Sequence, residues 1–164
     1  MCLADFTDRT EAECWQSIDD AVMGGHSRSA MLAGDDMGVF TGTLSLERGG
    51  GFASVRRRDQ LVDLSAYHSV ELRLRGDGKR YKLNLRTSRD YDGAVYQASF
   101  ETRPSTWQSV RLNLSAFAPR FRGRSMAGVL DPRRICSLGL LISDRQTGTF
   151  RLELSAIKAT AYAH

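Results

Sequence analysis

The sequence has no apolar run that approaches the roughly 18 residues a membrane-spanning helix needs. Residues 1–6 also lack the basic region and the apolar region of a secretory signal peptide. We therefore expect a protein without an integral membrane segment, and the cytoplasm is its expected location. The 164 residues suit one domain, residues 1–164, with an ordinary share of hydrophobic (41%) and charged (26%) residues.

Cysteine and lysine are scarce. The three cysteines, Cys2, Cys14 and Cys136, form no C-x-x-C pair, which argues against a disulfide framework and against a zinc site. Only three of the 23 basic residues are lysines, and arginine suits recognition of carboxylate or phosphate. Codon usage in the source genome explains the same skew. The tightest basic cluster, residues 56–58, lacks the length and interleaved aromatics of a nucleic-acid patch, so we expect no nucleic-acid partner.

Alternation of apolar and polar residues is what the sequence has in abundance. In residues 39–46, for example, Thr41, Thr43 and Ser45 alternate with apolar positions, as in a strand with one buried face. Similar segments occupy residues 27–32, 70–74, 81–85, 96–100, 107–114, 135–143 and 150–154. Eight or more such strands and almost no amphipathic helix predict an all-β jelly-roll β-sandwich with two antiparallel sheets.

Three local features refine this prediction. Asp77-Gly78 lies between two alternating runs and favours a β-hairpin there. A break in parity after Leu154 indicates a β-bulge near residues 155–156. Residues 115–134 form a long irregular section, of the kind that is usually functional or packed as a lid.

The stretch from Asp19 to Ser27 precedes the first regular strand pattern and contains two acids, a glycine doublet and a hydroxyl residue. Adjacent glycines indicate positive φ or close approach by another group, so we expect a shaped loop closing one end of the sandwich. The later glycines, residues 49–51, read better as a turn than as a phosphate cradle, because no helix and no P-loop lysine follow.

Catalysis and metal binding are weakly supported by these residues. His26 and Ser27 are neighbours on a strand and point to opposite faces, and no nucleophile elbow surrounds them. A hydrolase would need His26 or His68 within hydrogen-bond reach of a serine and an acid. The acid pairs at residues 19–20 and 35–36 make calcium conceivable, but their spacing matches no EF-hand loop. We expect no catalytic residue, no bound metal and no cofactor.

Taken together, the motifs resemble the complex I intermediate-associated protein family, named for an assembly factor of respiratory NADH:ubiquinone oxidoreductase. The matching residues are Trp15, Asp20-x-x-Met23-Gly24-Gly25-x-Ser27, Phe40-x-Gly42, Gly50-Gly51-Phe52-Ala53-Ser54-x-Arg56, Gly76-Asp77-Gly78-x-x-Tyr81, Tyr96-x-Ala98-x-Phe100, Trp107, Phe121-Arg122-Gly123 and Gly148-x-Phe150-x-Leu152. The resemblance implies a galactose-binding-like jelly roll and an assembly role without a reaction of its own. Because eukaryotic members begin with a transit extension and this chain does not, a bacterial member is expected.

The loop chemistry and the resemblance together select ten candidate binding residues. They are Asp20, Met23, Gly24, Gly25, Ser27, Arg56, Asp77, Lys79, Tyr81 and Arg122. One interpretation is structural, with Asp20 capping the glycine turn or pairing with Arg56 and Asp77-Gly78 only turning the chain. The other is that Asp20 and Arg56 together present a polar surface to a partner.

Two functions therefore remain open for the domain. The first is a non-enzymatic binding or assembly module for a protein partner, possessing an exposed apolar or arginine-lined patch; respiratory-complex subunits are the expected partners. The alternative is a binder of a small polar or anionic ligand, a carbohydrate or a nucleotide-like anion, with an aromatic floor such as Tyr81, Tyr91 or Tyr96.

Overall fold

The computed structural model describes residues 1–20, 25–57, 61–88, 93–121 and 123–161. These residues contain β1 (Cys2–Asp5), β2 (Trp15–Ser17), β3 (Arg28–Ala33), β4 (Gly38–Leu44), β5 (Ala53–Arg57), β6 (Ser69–Arg75), β7 (Arg80–Arg86), β8 (Val95–Glu101), β9 (Trp107–Asn113), β10 (Ala118–Phe121), β11 (Arg124–Ser125), β12 (Ser137–Ile142) and β13 (Gly148–Thr160). The helices in this part of the chain are single 3₁₀ turns at Glu11–Cys14, Glu47–Gly49 and Leu114–Ala116, and none is long and apolar enough to cross a membrane.

The strands form two sheets in which neighbouring strands pair antiparallel. The six-stranded sheet has the order β3-β4-β13-β6-β9, with β1 also paired to β13. The seven-stranded sheet has the order β11-β10-β8-β7-β12-β5-β2. The predicted all-β sandwich of two antiparallel sheets is therefore confirmed.

The core lies between the inner faces of the two sheets. Phe40 and Phe150 of the six-stranded sheet meet with ring centroids 5.0 Å apart, and Tyr81 of the other sheet lies 6.2 Å from Phe40. Leucines from both sheets, such as Leu72 and Leu83, fill the space around these rings and are fully buried. Burial of so much apolar surface is the main stabilising term of the fold.

The predicted hairpin around Asp77-Gly78 is wrong. β6 pairs with β9 and β13 in one sheet, whereas β7 pairs with β8 and β12 in the other. The segment between them is a crossover from sheet to sheet, and the apolar faces of both strands point into the shared core. Long-range contacts fix this path: a Cβ on Gly76 would lie 2.2 Å from Thr102 Cβ, so this position admits only glycine.

Of the two remaining local predictions, one is confirmed and the other is confirmed only in part. The β-bulge is confirmed, because the pairing of β13 with β6 shifts register between Leu154 and Ala156. The section 115–134 is less irregular than expected, since β10 lies within it and pairs with β8. The pairing partner of β10 is β8, which is distant in sequence, so the local sequence does not predict this strand.

Candidate functional site

The buried carboxylate of Asp20 joins two loops at one end of the sandwich, the connection between β2 and β3 and the connection between β4 and β5. Its Oδ1 accepts the Ser27 N–H at 2.9 Å, and its Oδ2 accepts the Ser27 hydroxyl at 2.6 Å. Oδ2 also accepts the backbone N–H groups of Gly51 at 2.7 Å and Phe52 at 3.3 Å. We call Asp20, Ser27, Gly51 and Phe52 the Asp20 clamp. The glycine-rich turn at residues 49–51 therefore does bind an anion, which is the carboxylate of Asp20.

Glycine is required on both sides of this carboxylate. A Cβ on Gly25 would lie 2.5 Å from Asp20 Cγ, and one on Gly50 would lie 2.5 Å from Asp20 Oδ2. Real Cβ atoms do not approach other heavy atoms so closely. The close approach expected from the glycine doublet is thus made by Asp20.

Asp19 forms a second, parallel set of contacts. Its carboxylate accepts the Ser29 N–H at 2.9 Å, the Ser29 hydroxyl at 2.5 Å and the Ser54 N–H at 3.0 Å. Ser29 belongs to β3 and Ser54 to β5, so Asp19 ties β3 of the six-stranded sheet to β5 of the seven-stranded sheet. Both acids of the sequence motif therefore serve the architecture directly.

The two neighbouring carboxyls have opposite pKa shifts. Burial raises the pKa of Asp20, but the hydrogen bonds from Ser27, Gly51 and Phe52 outweigh it, so this pKa lies below its ordinary value. For Asp19, burial outweighs the hydrogen bonds from Ser29 and Ser54, and the pKa lies above its ordinary value. The Asp20 clamp is hence built around an ionised carboxylate.

Neither serine of this region is placed as a nucleophile. Ser27 is 1% exposed, and its hydroxyl donates to Asp20 while accepting the Ser45 N–H at 2.9 Å. The Ser29 hydroxyl donates to Asp19. His26 and His68 are exposed, and the hydroxyls of Ser27 and Ser29 are each bound to an aspartate. In the described part of the chain, no three His, Cys, Asp or Glu side chains come together as a metal site.

A second polar cluster fixes the crossover between the sheets. Asp77 Oδ1 accepts the Tyr81 hydroxyl at 2.9 Å and the Lys79 N–H at 3.1 Å, and Oδ2 accepts the Arg151 N–H at 2.8 Å. Tyr81 is fully buried, and burial together with the Asp77 charge raises the pKa of its hydroxyl. Lys79 Nζ donates to the Thr149 carbonyl at 2.8 Å.

The Asp20 clamp and the Asp77 cluster lie at the same end of the sandwich. Leu44, at the end of β4, pairs with Gly148 at the start of β13. The Ser45 N–H donates to the Ser27 hydroxyl, and the Thr149 carbonyl accepts from Lys79, so each cluster touches the end of this strand pair. The observed contacts of both clusters are structural.

Arg56 lies elsewhere, on the outer face of the seven-stranded sheet. Its cross-strand partners are Gln16 and Gly139; Gly139 pairs with Asn84, which pairs with Gln97. Because paired residues share a face, these five form a row across five strands, roughly 19 Å long at the usual strand spacing. We call Gln16, Arg56, Gly139, Asn84 and Gln97 the polar row.

Three of the ten candidates, Met23, Gly24 and Arg122, lie outside the described residues. Of the others, Asp20, Gly25 and Ser27 belong to the Asp20 clamp, Asp77, Lys79 and Tyr81 to the crossover, and Arg56 to the polar row. Asp20 accepts hydrogen bonds from Ser27, Gly51 and Phe52, while Arg56 is four residues beyond Phe52 in β5. Their suggested joint surface has one buried member, because Asp20 is 1% exposed.

An apolar surface that residue-level reasoning did not single out lies beside β10. Phe121, Met126 and Val129 are 38%, 45% and 89% exposed, and we call them the apolar tip. Arg124 pairs with Phe121, and the Met126 N–H donates to the Pro119 carbonyl at 3.4 Å, which folds the segment back onto β10. A shallow depression of about 200 Å³ adjoins the tip, lined by Leu114, Ser115, Phe117, Gly128, Val129, Leu130 and Pro132.

The family profile described as Complex I intermediate-associated protein 30 (CIA30) matches residues 4–154. The chain belongs to this family. The Mus musculus protein named "Complex I intermediate-associated protein 30, mitochondrial" is 27% identical over 175 residues, covering 93% of this chain and 53% of the mouse protein. The Drosophila melanogaster protein of the same name is 25% identical over 123 residues, covering 65% of this chain and 42% of the fly protein.

The chain thus spans about half the length of the curated relatives it matches. The resemblance drawn from the motifs is confirmed at the level of the family. These relatives are mitochondrial by name, so the expected bacterial source and cytoplasmic location stay predictions.

Solved structures show the same fold at low sequence identity. The family 11 carbohydrate-binding module of cellulase Lic26A-Cel5E from Clostridium thermocellum superposes with a TM-score of 0.72 at 16% identity, covering 100% of this chain and 96% of the module. Agarase AgWH50C gives a TM-score of 0.67 at 16% identity, covering 99% of this chain and 24% of the agarase. A cellulose-specific module, CBM28, gives 0.58 at 8% identity, covering 96% of this chain and 92% of the module. The galactose-binding-like jelly roll is confirmed.

Proposed function

We propose that this domain is a non-catalytic binding module that takes part in the assembly of respiratory complex I by holding a protein partner. Membership of the CIA30 family supports an assembly-related role. The use of the Asp–Ser pairs as structural contacts supports a role in binding rather than turnover.

The apolar tip is the observation that carries this proposal. Val129 is 89% exposed in the same short segment as exposed Met126, and exposed Phe121 at the end of β10 pairs with Arg124 of β11. Methionine, aromatic residues and arginine are enriched in protein–protein interfaces, and a grouped exposed apolar surface marks an interaction site. The tip therefore provides the apolar, arginine-lined patch that an assembly module requires.

Replacing Met126 and Val129 together by glutamate should reduce capture of the partner about tenfold, because charges would have to be desolvated in the interface. Affinity capture from detergent-solubilised membranes of the source organism, followed by quantification of complex I subunits, measures this. Both side chains are exposed, so the variant should unfold at the same temperature as the parent protein.

The matched control is Leu32→Glu, since Leu32 is 52% exposed on the outer face of the six-stranded sheet. This variant should capture complex I subunits as the parent does. Equal capture by the Met126/Val129 double variant and the parent would refute the apolar tip as the interface. Absence of membrane-derived partners in every sample would refute the assembly role itself.

A second candidate function is binding of a small polar ligand, a carbohydrate or a nucleotide-like anion. The polar row favours it, since arginine and amide side chains there lie side by side on a sheet face. One structural neighbour is a family 11 module in complex with a mixed-linked tetrasaccharide, which supports the carbohydrate alternative. The suggested aromatic floor does not assist: Tyr81 is in the core, Tyr96 packs against the core, and Tyr91 lies outside the described residues.

A further inference from the structure

Asn84 is the one residue of the polar row with an unpaired buried atom. Its side chain is on the outer face of β7, between the outward positions of Lys82 and Arg86, yet the residue is only 8% exposed. Its Oδ1 has no hydrogen-bond partner in the part of the chain that the structure describes. A buried amide oxygen without a donor is costly, so such an atom is retained where something outside the chain pairs with it.

The outer face beside this atom is formed by the neighbouring strands β12 and β8. Gly139 is the cross-strand neighbour of Asn84 and has no side chain; a Cβ there would lie 3.4 Å from Asn84 Cβ. Gln97 flanks Asn84 on the other side and is half-buried. The nearest lysine points away to a loop, because Lys82 Nζ binds Ser143 Oγ at 3.0 Å and Asp144 Oδ1 at 3.2 Å.

The chemistry of the row selects the class of ligand. Asn84 Oδ1 needs a donor, Arg56 can only donate, and Gln97 can do both. A hydroxyl group donates and accepts, so a chain of hydroxyls matches the row at each position. A phosphate or carboxylate has acceptors only and would leave Asn84 Oδ1 unpaired.

An added peptide strand fits less well. Strand addition uses the free backbone groups of a sheet edge, whereas β7 and β12 are central strands whose backbone is paired on both sides. A ligand at Asn84 must therefore be recognised by side chains from above the sheet.

The geometry points to a saccharide-binding site along the polar row, with a sugar hydroxyl donating to Asn84 Oδ1 over Gly139 and further hydroxyls contacting Arg56 and Gln97. This inference rests on the ligand-binding candidate of the proposed function and names its site and ligand class. It is independent of the apolar tip, which is formed by Phe121, Met126 and Val129.

The test is a titration of the ¹⁵N-labelled protein with cellotetraose, maltotetraose and mannotetraose, followed by NMR. At least one sugar should shift the side-chain amide signals of Asn84 and Gln97. Asn84→Leu should raise the dissociation constant about tenfold or more and should also raise the Tm, because it removes an unpaired buried acceptor. A purely structural asparagine would lower the Tm on the same substitution.

Gln97→Leu provides a second variant on a half-buried surface position and should also weaken binding. Ser109→Ala, on the outer face of the six-stranded sheet, should leave binding unchanged. If a sugar binds equally to the parent and to Asn84→Leu and Gln97→Leu, the site along the polar row is wrong while a ligand-binding function stands. If none of the three sugars shifts any signal up to its solubility limit, the saccharide inference is overturned and the assembly proposal is untouched.

Discussion

Asp20→Ala should lower the free energy of unfolding by about 4 kcal/mol, because it leaves several buried donors without an acceptor. The donors are the Ser27 N–H and hydroxyl and the N–H groups of Gly51 and Phe52. Urea denaturation followed by tryptophan fluorescence measures the change. Asp35→Ala, at an exposed turn position, is the control and should leave stability unchanged.

The same carboxylate gives a pH dependence whose sign follows from its pKa. The folded-state pKa of Asp20 is lowered, so its stabilising contribution is fully present above the unfolded value of about 3.9 and is lost as the pH falls through the folded-state pKa. Asp19, with its raised pKa, has the opposite dependence: its contribution is present below the unfolded value and is lost as the pH rises. Below about pH 4, Asp20→Ala should therefore lose less stability on acidification than the parent protein.

A loss of under about 1 kcal/mol in Asp20→Ala, with unchanged acid sensitivity, would contradict the Asp20 clamp. Asp20→Asn keeps one oxygen acceptor and should fall between the parent and the alanine variant. It also provides a measurable protein where the alanine variant is largely unfolded.

Gly42→Ala should lower the free energy of unfolding by about 3 kcal/mol through overpacking. A Cβ at this position would lie 2.0 Å from the backbone carbonyl oxygen of Arg28 and 2.8 Å from Ser29 Cα. Backbone cannot rotate away as a side chain does, so β3 would have to separate from β4. Differential scanning calorimetry of Gly42→Ala beside Thr43→Ala, an exposed neighbour on the same strand, measures the effect. A Tm equal to that of Thr43→Ala would contradict this prediction, because it would show that β3 can move away from β4 without a loss of stability.

The inward and outward faces of the strands were predictable from sequence because alternation has a direct physical cause. In β7, Tyr81, Leu83 and Leu85 are fully buried, as their period of two requires. The prediction needs only the local residues, since any sandwich buries one face of each strand. The same logic located the β-bulge after Leu154.

The crossover at Asp77-Gly78 was not predictable from the same kind of evidence. An Asp-Gly pair between two alternating runs satisfies the local requirements of a hairpin turn. Here the path is decided by distant residues: Arg151 donates to Asp77, and Thr102 packs against Gly76. A local pattern contains no information about contacts more than twenty residues away.

In the candidate site, too, some features were predictable from local sequence and others depend on distant contacts. The sequence identified Asp20 as an organising residue. The backbone N–H groups that donate to its carboxylate, from Gly51 and Phe52, could be identified only from the structure. Nothing in the sequence distinguishes Asn84 from the other polar residues of β7. Its significance depends on the strand register that puts Gly139 beside it. The register between two distant segments cannot be predicted from the sequence of either strand alone. The solvent exposure of an apolar residue such as Val129 is equally unpredictable from the sequence of its loop alone.

Site-specific photo-cross-linking tests the proposed assembly role most directly. A benzophenone amino acid is placed at Met126 in the apolar tip or, as a matched control, at Leu32, and both proteins are irradiated in cells of the source organism. The account predicts adducts with complex I subunits or their assembly intermediates from Met126 and none from Leu32. Adducts from both positions alike, or adducts from Met126 that contain no respiratory-chain protein, would contradict it.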